Sequence, residues 1–283
     1  MRQIRPPANF FHVDQIPASV VARDPRVTTL DEFAVDLRMC DFLRPPAILW
    51  TLTYCLLAAR RGTSCHVMVP KHVGVAKYLK AARLFDLLKE HGVSVDDHDI
   101  EPAQQGRIVV PIRRLEGQSD VERIANDALS SLADQNLGAV NQRILVTETL
   151  TELAGNAVEH GNSPIGCYGM VQYYDWQEGP RFLCVVADGG VGIRQSLMKN
   201  PDLGLDLSTD WDAIEIAMQE RVTGTGHPHR GKGLFEVSQE MRKPGSELLI
   251  HSGLGIVPRE DPQMRAREGA LFPGTLAYAT VRT

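Results

Sequence analysis

The sequence lacks the features that mark exported, membrane-spanning and nucleic-acid-binding proteins. Its first 15 residues contain no apolar core, so no export signal is expected. The most apolar run, Ala47–Ala59, has 13 residues, whereas a bilayer-spanning helix needs about 20. We therefore expect a buried core helix there and no membrane association. The net charge of −5 gives no electrostatic reason to expect nucleic acid, which calls for a basic face.

Paired cysteines and a Walker-type phosphate loop are missing as well. The five cysteines are widely spaced and include no CxxC pair, which argues against a zinc site and against a disulfide framework. Reduced, buried thiols in a cytoplasmic protein are the expected alternative. The spacing of a Walker loop is not met, because Gly233 follows Lys232 where that motif requires serine or threonine.

The first part of the chain alternates between strand-like and helical patterns. Strands are predicted at Glu32–Met39, Cys65–Val69 and Arg107–Ile112, and helices at Pro45–Ala59 and Val75–Glu90. A chain of 283 residues favours two domains. We therefore predict a first α/β domain over residues 1–117.

The remaining residues, 118–283, combine long helices with antiparallel strands. Helices are predicted at Ser119–Gln135, Val140–His160 and Trp211–Glu220, and strands at Cys167–Tyr174, Phe182–Val186, Glu247–His251 and Leu276–Val281. The first two of these strands are joined by a short turn and predict a hairpin. This pattern predicts a second α/β domain.

Three separated segments carry residues suited to chemistry, and the first lies on a helix. Glu152, Asn156 and either His160 or Glu159 recur at helical spacing and share one face. An amide oxygen there can bind Mg²⁺, and a carboxylate can orient or deprotonate a nucleophile. Taken alone, the same pattern fits a solvated face of an amphipathic helix.

The second segment is a strand that ends at Asp188 and continues into Gly189, Gly190 and Gly192. Glycine lets the backbone approach a ligand closely, and the carboxylate can accept a hydrogen bond from an exocyclic amine. A simple tight turn is the alternative for this segment alone.

The third segment, 223–234, is a glycine-rich basic loop that leads into a helix. Backbone N–H groups at a helix start favour phosphate, and Arg230 and Lys232 can add positive charge. His227 and His229 lack cysteine partners, so a metal site is not the preferred interpretation.

Together the three segments resemble the asparagine box and the two glycine boxes of the GHKL superfamily of ATP-binding proteins, which has the Bergerat fold. The segment ELAGNAVEHG is most similar to the anti-sigma-factor serine kinases of that superfamily. Pro273-Gly274-Thr275 resembles the Gly-Thr element near adenine. The resemblance covers about 141–283 and implies a C-terminal α/β two-layer sandwich that binds ATP and Mg²⁺.

The resemblance assigns a role to each matching residue. It implies that Asn156 binds Mg²⁺, that Glu152 is the catalytic base and that Asp188 binds the adenine amino group. The nucleotide-binding residues it implies are Asn156, His160, Asp188, Gly190, Gly192, Ile193, Gly224, Gly226, Arg230, Gly231, Lys232, Gly233, Leu234 and Thr275.

Two departures from the superfamily limit the interpretation. The segment between Ile193 and Gly224 is longer than in a minimal anti-sigma kinase. The upstream histidines His91 and His98 lie outside any dimerisation helix, which argues against a two-component sensor kinase.

The first half resembles STAS domains, the fold of anti-sigma-factor antagonists, in the order of its elements. Pro45 and Pro46 lie where a signalling STAS domain carries its phosphorylatable residue, and the first hydroxyl is that of Thr51. A generic α/β interaction scaffold is the alternative.

Two functions follow from these resemblances. The chain is expected to be a protein serine/threonine kinase or anti-sigma-like regulator that acts on a protein partner, or else an ATP-dependent conformational switch with slow hydrolysis. A homodimer is an open alternative to a monomer.

Overall fold

A computed structural model of the protein describes residues 2–12, 15, 31–103, 108–176, 179–199, 207–219, 233–259 and 266–282. The strands are β1 (Arg2–Ile4), β2 (Asn9–Phe10), β3 (Glu32–Asp36), β4 (Phe42–Leu43), β5 (Ser64–Met68), β6 (Ser94–Val95), β7 (Ile108–Leu115), β8 (Cys167–Trp176), β9 (Gly179–Asp188), β10 (Glu247–Arg259) and β11 (Arg267–Arg282). The helices are α1 (Pro45–Arg60), α2 (Val73–Ala81), α3 (Leu84–Glu90), α4 (Gln118–Asp134), α5 (Val140–His160), α6 (Ile193–Leu197), α7 (Asp210–Ala217) and α8 (Gly233–Glu240).

The strands form two main sheets of different kinds. The first is parallel, with strand order β1-β3-β5-β6, and β2 pairs with β4 in a small parallel ribbon. The second is antiparallel, with strand order β10-β11-β9-β8-β7. The combination of helices with parallel and antiparallel strands confirms the predicted α/β class.

The second sheet is buried on both faces, because its strands alternate between two apolar clusters. On β9, Phe182, Cys184 and Val186 join the cluster that includes helices α4 and α5, whereas the intervening Leu183, Val185 and Ala187 join the cluster that includes α1. Residues of the first half therefore cover the second face of this sheet.

Helix α1 explains how one cluster reaches both sheets. Of its 16 residues, 14 are buried, and it contacts β3 and β5 of the first sheet and β8, β9 and β11 of the second. The buried helix that the apolar run predicted is therefore confirmed, and a helix that is apolar all round belongs between two layers. Within the described residues, none of the helices is long and apolar enough to cross a membrane.

One predicted helix differs from the structure, and the predicted domain boundary can be compared with the strand order of the sheets. The predicted helix Val75–Glu90 is two helices, α2 and α3, because Arg83 adopts a left-handed conformation with φ of 68°. The predicted domain boundary near Gly117 falls after β7, yet β7 is the edge strand of the second sheet. A division of the chain by sheets would therefore lie before Ile108.

Candidate functional site

A cavity of about 570 Å³ lies on the helical side of the second sheet, between α5, α6 and α8, the end of β9 and the middle of β11. Its lining includes nine of the residues predicted for the nucleotide site: Glu152, Asn156, His160, Asp188, Gly192, Ile193, Gly233, Leu234 and Thr275. These residues come from four separated stretches of the chain, and only the fold brings them together.

Helix α5 supplies one wall of the cavity. Glu152, Asn156 and His160 follow each other at intervals of four residues and all line the cavity. Leu150, Leu153 and Ala154 are buried against the sheet. The helix thus separates a polar face from a packed face, as its spacing predicts.

The side chain of Asn156 is oriented by the helix itself. Its Nδ2 donates a hydrogen bond of 2.8 Å to the backbone oxygen of Glu152. Nδ2 keeps a second hydrogen and Oδ1 keeps its lone pairs, so the carboxamide can serve a ligand in the cavity as donor or as acceptor. A neutral oxygen of this kind suits a hard cation such as Mg²⁺.

Glu152 lies in an environment that disfavours its charge. Partial burial raises the pKa of this carboxyl above its ordinary value, and the negative charges of Glu236 and Glu148 raise it further. A carboxylate with a raised pKa is a stronger base than an exposed one and is suited to accept a proton from a hydroxyl or a water molecule.

His160 lines the cavity one turn beyond Asn156. Burial lowers the pKa of its imidazole, and the positive charge of Lys199 lowers it further. The ring is therefore held neutral at physiological pH, with one nitrogen as donor and the other as acceptor.

Asp188 ends β9 at the inner end of the cavity and is completely buried. It continues the row of Phe182, Cys184 and Val186 on the helical face of the sheet. Its Oδ1 accepts a hydrogen bond of 2.8 Å from the backbone N–H of Gly190. The carboxylate is thus held by the glycine segment that follows it.

Two glycines in this region are required by backbone geometry. Gly192 has φ of 79° and Gly274 has φ of 111°, a region that other residues rarely adopt. A Cβ on Gly274 would also overlap the backbone of Asp188. Gly190, which does not line the cavity, packs directly on the backbone of Gly161, and Val191 N–H donates to the Gly161 oxygen at 2.9 Å.

Thr275 faces Asp188 directly across the paired strands β9 and β11. On its other side it is paired with Ser252 of β10. Ser252, Thr275 and Asp188 therefore form a polar row across three neighbouring strands at the inner end of the cavity.

The start of α8 brings the third segment to the cavity. Gly233 and Leu234 line it, and a Cβ on Gly233 would overlap the Glu152 carboxylate. The other predicted residues of this segment lie outside the described part of the chain: Gly224, Gly226, Arg230, Gly231 and Lys232.

The charged groups of the described lining are mostly acidic. Glu152, Glu159, Asp188 and Glu236 contribute carboxylates, beside a single histidine. A polyphosphate would need cationic partners in such a site, and a divalent ion at Asn156 would supply one. In the ranges that the structure describes, no group of three or more His, Cys, Asp or Glu residues is arranged to hold a metal ion.

Two hydroxyl residues that hold the backbone beside the cavity were not predicted from the sequence. Ser252 lies one residue beyond the strand predicted at Glu247–His251, which hid its position in the sheet. Ser163, in the loop after α5, accepts a hydrogen bond of 3.1 Å from Gly189 N–H. Only their hydroxyls mark them in the sequence, and hydroxyls are common in loops and strand ends.

Comparisons with known proteins add no family assignment to this geometry. No protein-family model matches the chain, and no curated protein is significantly similar to it.

Proposed function

We propose that the chain is a Mg²⁺-ATP-binding regulatory protein of the GHKL type. The observation that carries the proposal is the cavity in which Asn156, Asp188 and Thr275 meet although they lie on separate segments. Asp188 at the inner end would accept a hydrogen bond from the adenine amino group. Asn156, on α5, would offer its amide oxygen to Mg²⁺ on the phosphates.

The chemistry proposed for the site is phosphoryl transfer to a hydroxyl. Bound Mg²⁺ would neutralise charge on the phosphates. Glu152, with its raised pKa, would accept the proton of a serine or threonine hydroxyl of a protein partner, or of water. Transfer to a partner is the first proposal, and the acidic lining supports a dependence on the cation.

An ATP-dependent switch is the second candidate, and the position of α1 favours it. A Cβ on Gly189, next to Asp188, would lie 2.9 Å from the Leu57 side chain of α1. The first half of the chain therefore contacts the segment that holds the carboxylate. Nucleotide bound at Asp188 would act on this contact and so change the surface offered to a partner. The free, buried cysteines agree with a cytoplasmic setting for either function.

Calorimetric titration of ATP with and without Mg²⁺ tests the proposal. The wild-type chain should bind Mg²⁺-ATP, and Asn156→Ala should lose the part of the affinity that depends on Mg²⁺. Asn141→Ala, on the exposed first turn of the same helix, is the matched control and should bind like the wild type. Equal affinity of Asn156→Ala and the control would contradict the assignment.

Incubation with γ-labelled ATP and candidate partners separates the two candidates. Label that moves to a protein supports a kinase, whereas binding that depends on nucleotide without label transfer supports a switch.

A further inference from the structure

The side chain of Ser252 is the centre of a hydrogen-bond network behind the cavity. The residue is almost fully buried, with 2% of its surface exposed, and it does not line the cavity. Its Oγ lies 2.9 Å from the backbone nitrogen of Ile193, 3.0 Å from the oxygen of Gly274 and 3.2 Å from Oγ1 of Thr275. One hydroxyl thus joins the start of α6, just after the glycine segment, to Gly274 of β11, next to Thr275.

The direction of each hydrogen bond follows from the chemistry of the partners. The Ile193 N–H can only donate, and the Gly274 oxygen can only accept. Ser252 has one O–H and two lone pairs. Its O–H is therefore used on Gly274 and one lone pair on Ile193, which leaves one lone pair for Thr275. With all three hydrogen bonds formed, the Thr275 hydroxyl donates to Ser252.

This direction determines what Thr275 offers to the cavity. With its only hydrogen engaged by Ser252, the Thr275 hydroxyl presents lone pairs to a ligand. Its neighbour across the strands, Asp188, is a carboxylate and also accepts. The side chains of residues paired directly across strands are about 5 Å apart, so the inner end of the cavity carries two adjacent acceptors.

We propose that Ser252 is a positioning residue that fixes the Thr275 hydroxyl as an acceptor. The inner end of the cavity thereby selects a purine with a 6-amino group over one with a 6-keto group. An amino group has two N–H donors to offer to the two acceptors. A keto oxygen offers none, and because N1 of a 6-keto purine carries a hydrogen that Asp188 can accept, the Thr275 hydroxyl is the acceptor left without a donor. The inference rests on the proposed function, because it assigns a determinant of base choice to the same nucleotide site.

Removal of the Ser252 hydroxyl should therefore change selectivity through Thr275. In Ser252→Ala the Thr275 hydroxyl can rotate and donate to a keto oxygen. The loss of one hydrogen bond that favours the 6-amino group corresponds to about a 3- to 10-fold fall in the preference for the 6-amino over the 6-keto nucleotide. A serine that only supported the local backbone would weaken both nucleotides equally and leave their ratio unchanged.

The experiment measures the Kd values of Mg²⁺-ATP and Mg²⁺-ITP for the full chain by calorimetric titration. ITP carries a 6-keto group on its base and has the same ribose and triphosphate as ATP. The wild type should prefer ATP, and the ratio of the two Kd values should fall about 3- to 10-fold in Ser252→Ala. Thr275→Val should lower the ratio as well, and Thr275→Ser should keep it.

A double variant tests whether Ser252 acts through Thr275. If it does, Ser252→Ala combined with Thr275→Val should lower the ratio no further than Thr275→Val alone. Thr280→Val removes another buried hydroxyl from the same strand, which contacts Glu247 and does not line the cavity. This control should keep the wild-type ratio. Should Ser252→Ala fail to fold, Ser252→Cys keeps the size of the side chain and carries the same expectation.

The outcomes separate this inference from the proposed function. A wild-type chain that binds neither nucleotide would overturn both. A wild type that binds ATP and ITP equally, a Ser252→Ala variant with an unchanged ratio, or additive losses in the double variant would overturn the inference alone.

Discussion

At the scale of single residues, two carboxylates of the cavity lie in different surroundings, and these suit one to accept a hydrogen bond and the other to accept a proton. Asp188 is completely buried and anchored by Gly190 N–H, so it is held as a fixed acceptor. Glu152 is half-buried among other acidic side chains, which raises its pKa. The two carboxylates thus have different chemistry although they line the same cavity.

Substitution of Asp188 should weaken adenine nucleotides without regard to their phosphates. Loss of one hydrogen bond to a charged group costs about 1.5–3 kcal/mol, or about 10- to 150-fold in affinity. Asp188→Ala should therefore weaken ATP and ADP alike in calorimetric titrations. Asp97→Asn, at another buried carboxyl that lies outside the cavity, should leave both affinities unchanged. Wild-type affinity in a folded Asp188→Ala variant would refute the assignment.

The pH dependence of turnover should report the environment of Glu152. A general base works in its ionised form, so the rate should fall as the pH drops through the raised pKa of Glu152. Of the two neighbouring charges that raise this pKa, that of Glu236 has the larger effect, so Glu236→Gln should move the acid limb to lower pH. Glu148→Gln should act in the same direction but less. Glu152→Gln should bind Mg²⁺-ATP normally and lose about 10²–10⁴-fold in rate.

An acid limb that stays in place in both Glu236→Gln and Glu148→Gln would show that another group limits the rate. Normal turnover in Glu152→Gln would remove Glu152 from the chemistry and leave the binding site untouched.

At the scale of elements, the sequence predicts those whose pattern is local. The spacing of α5 gave its limits and its polar face, and the apolar run gave α1 as a buried helix. The break between α2 and α3 was not predictable, because Arg83 in a left-handed conformation contradicts its own propensity and depends on the packing of both helices. Likewise, Ser252 joins the site only through the register of β10 with β11.

The same packing of α2 and α3 depends on an ionic contact at Asp97. The Asp97 side chain is buried, with 3% of the residue exposed. Its oxygens accept hydrogen bonds from Nζ of Lys80 at 2.7 Å and from Nζ of Lys89 at 2.8 Å. Burial alone would raise the pKa of Asp97, but the hydrogen bonds from the two lysines outweigh burial and lower it. The lysines come from the end of α2 and from α3, so Asp97 ties the two helices together.

Asp97→Asn should lower the free energy of unfolding by about 1–3 kcal/mol at neutral pH. Because the folded pKa is lowered, this contribution is present above the unfolded pKa of about 3.9 and is lost as the pH falls through the folded value. Urea unfolding at several pH values should show the wild type and the variant converging in acid. Asp86→Asn, which removes a more exposed contact to Lys80, should cost no more than about 1 kcal/mol. If the difference in the free energy of unfolding between the wild type and Asp97→Asn stayed constant as the pH falls, this account would be contradicted.

At the scale of the whole molecule, α1 makes the two sheets parts of one packed structure. The antiparallel sheet of the second half is covered by α4 and α5 on one face and by α1 on the other. The sequence indicated two α/β units but not this third layer, because nothing local records which sheet an all-apolar helix will cover. The layer also brings Leu57 against Gly189, directly behind the cavity.

Leu57 should therefore affect nucleotide binding as well as stability. It is 2% exposed, and its neighbour Leu56 in the same helix is 1% exposed, so the two alanine variants form a matched pair. Each should lose about 2–5 kcal/mol in the free energy of unfolding. Only Leu57→Ala should also weaken ATP, by about 2- to 30-fold, because the nearest side-chain atoms to Gly189 are those of Leu57 and Gly189 adjoins Asp188. Urea unfolding and calorimetric titration on the same samples give both quantities, and the corresponding valine variants replace alanine if either chain unfolds. Equal losses of affinity at both positions would mean that α1 supports the site only through overall stability.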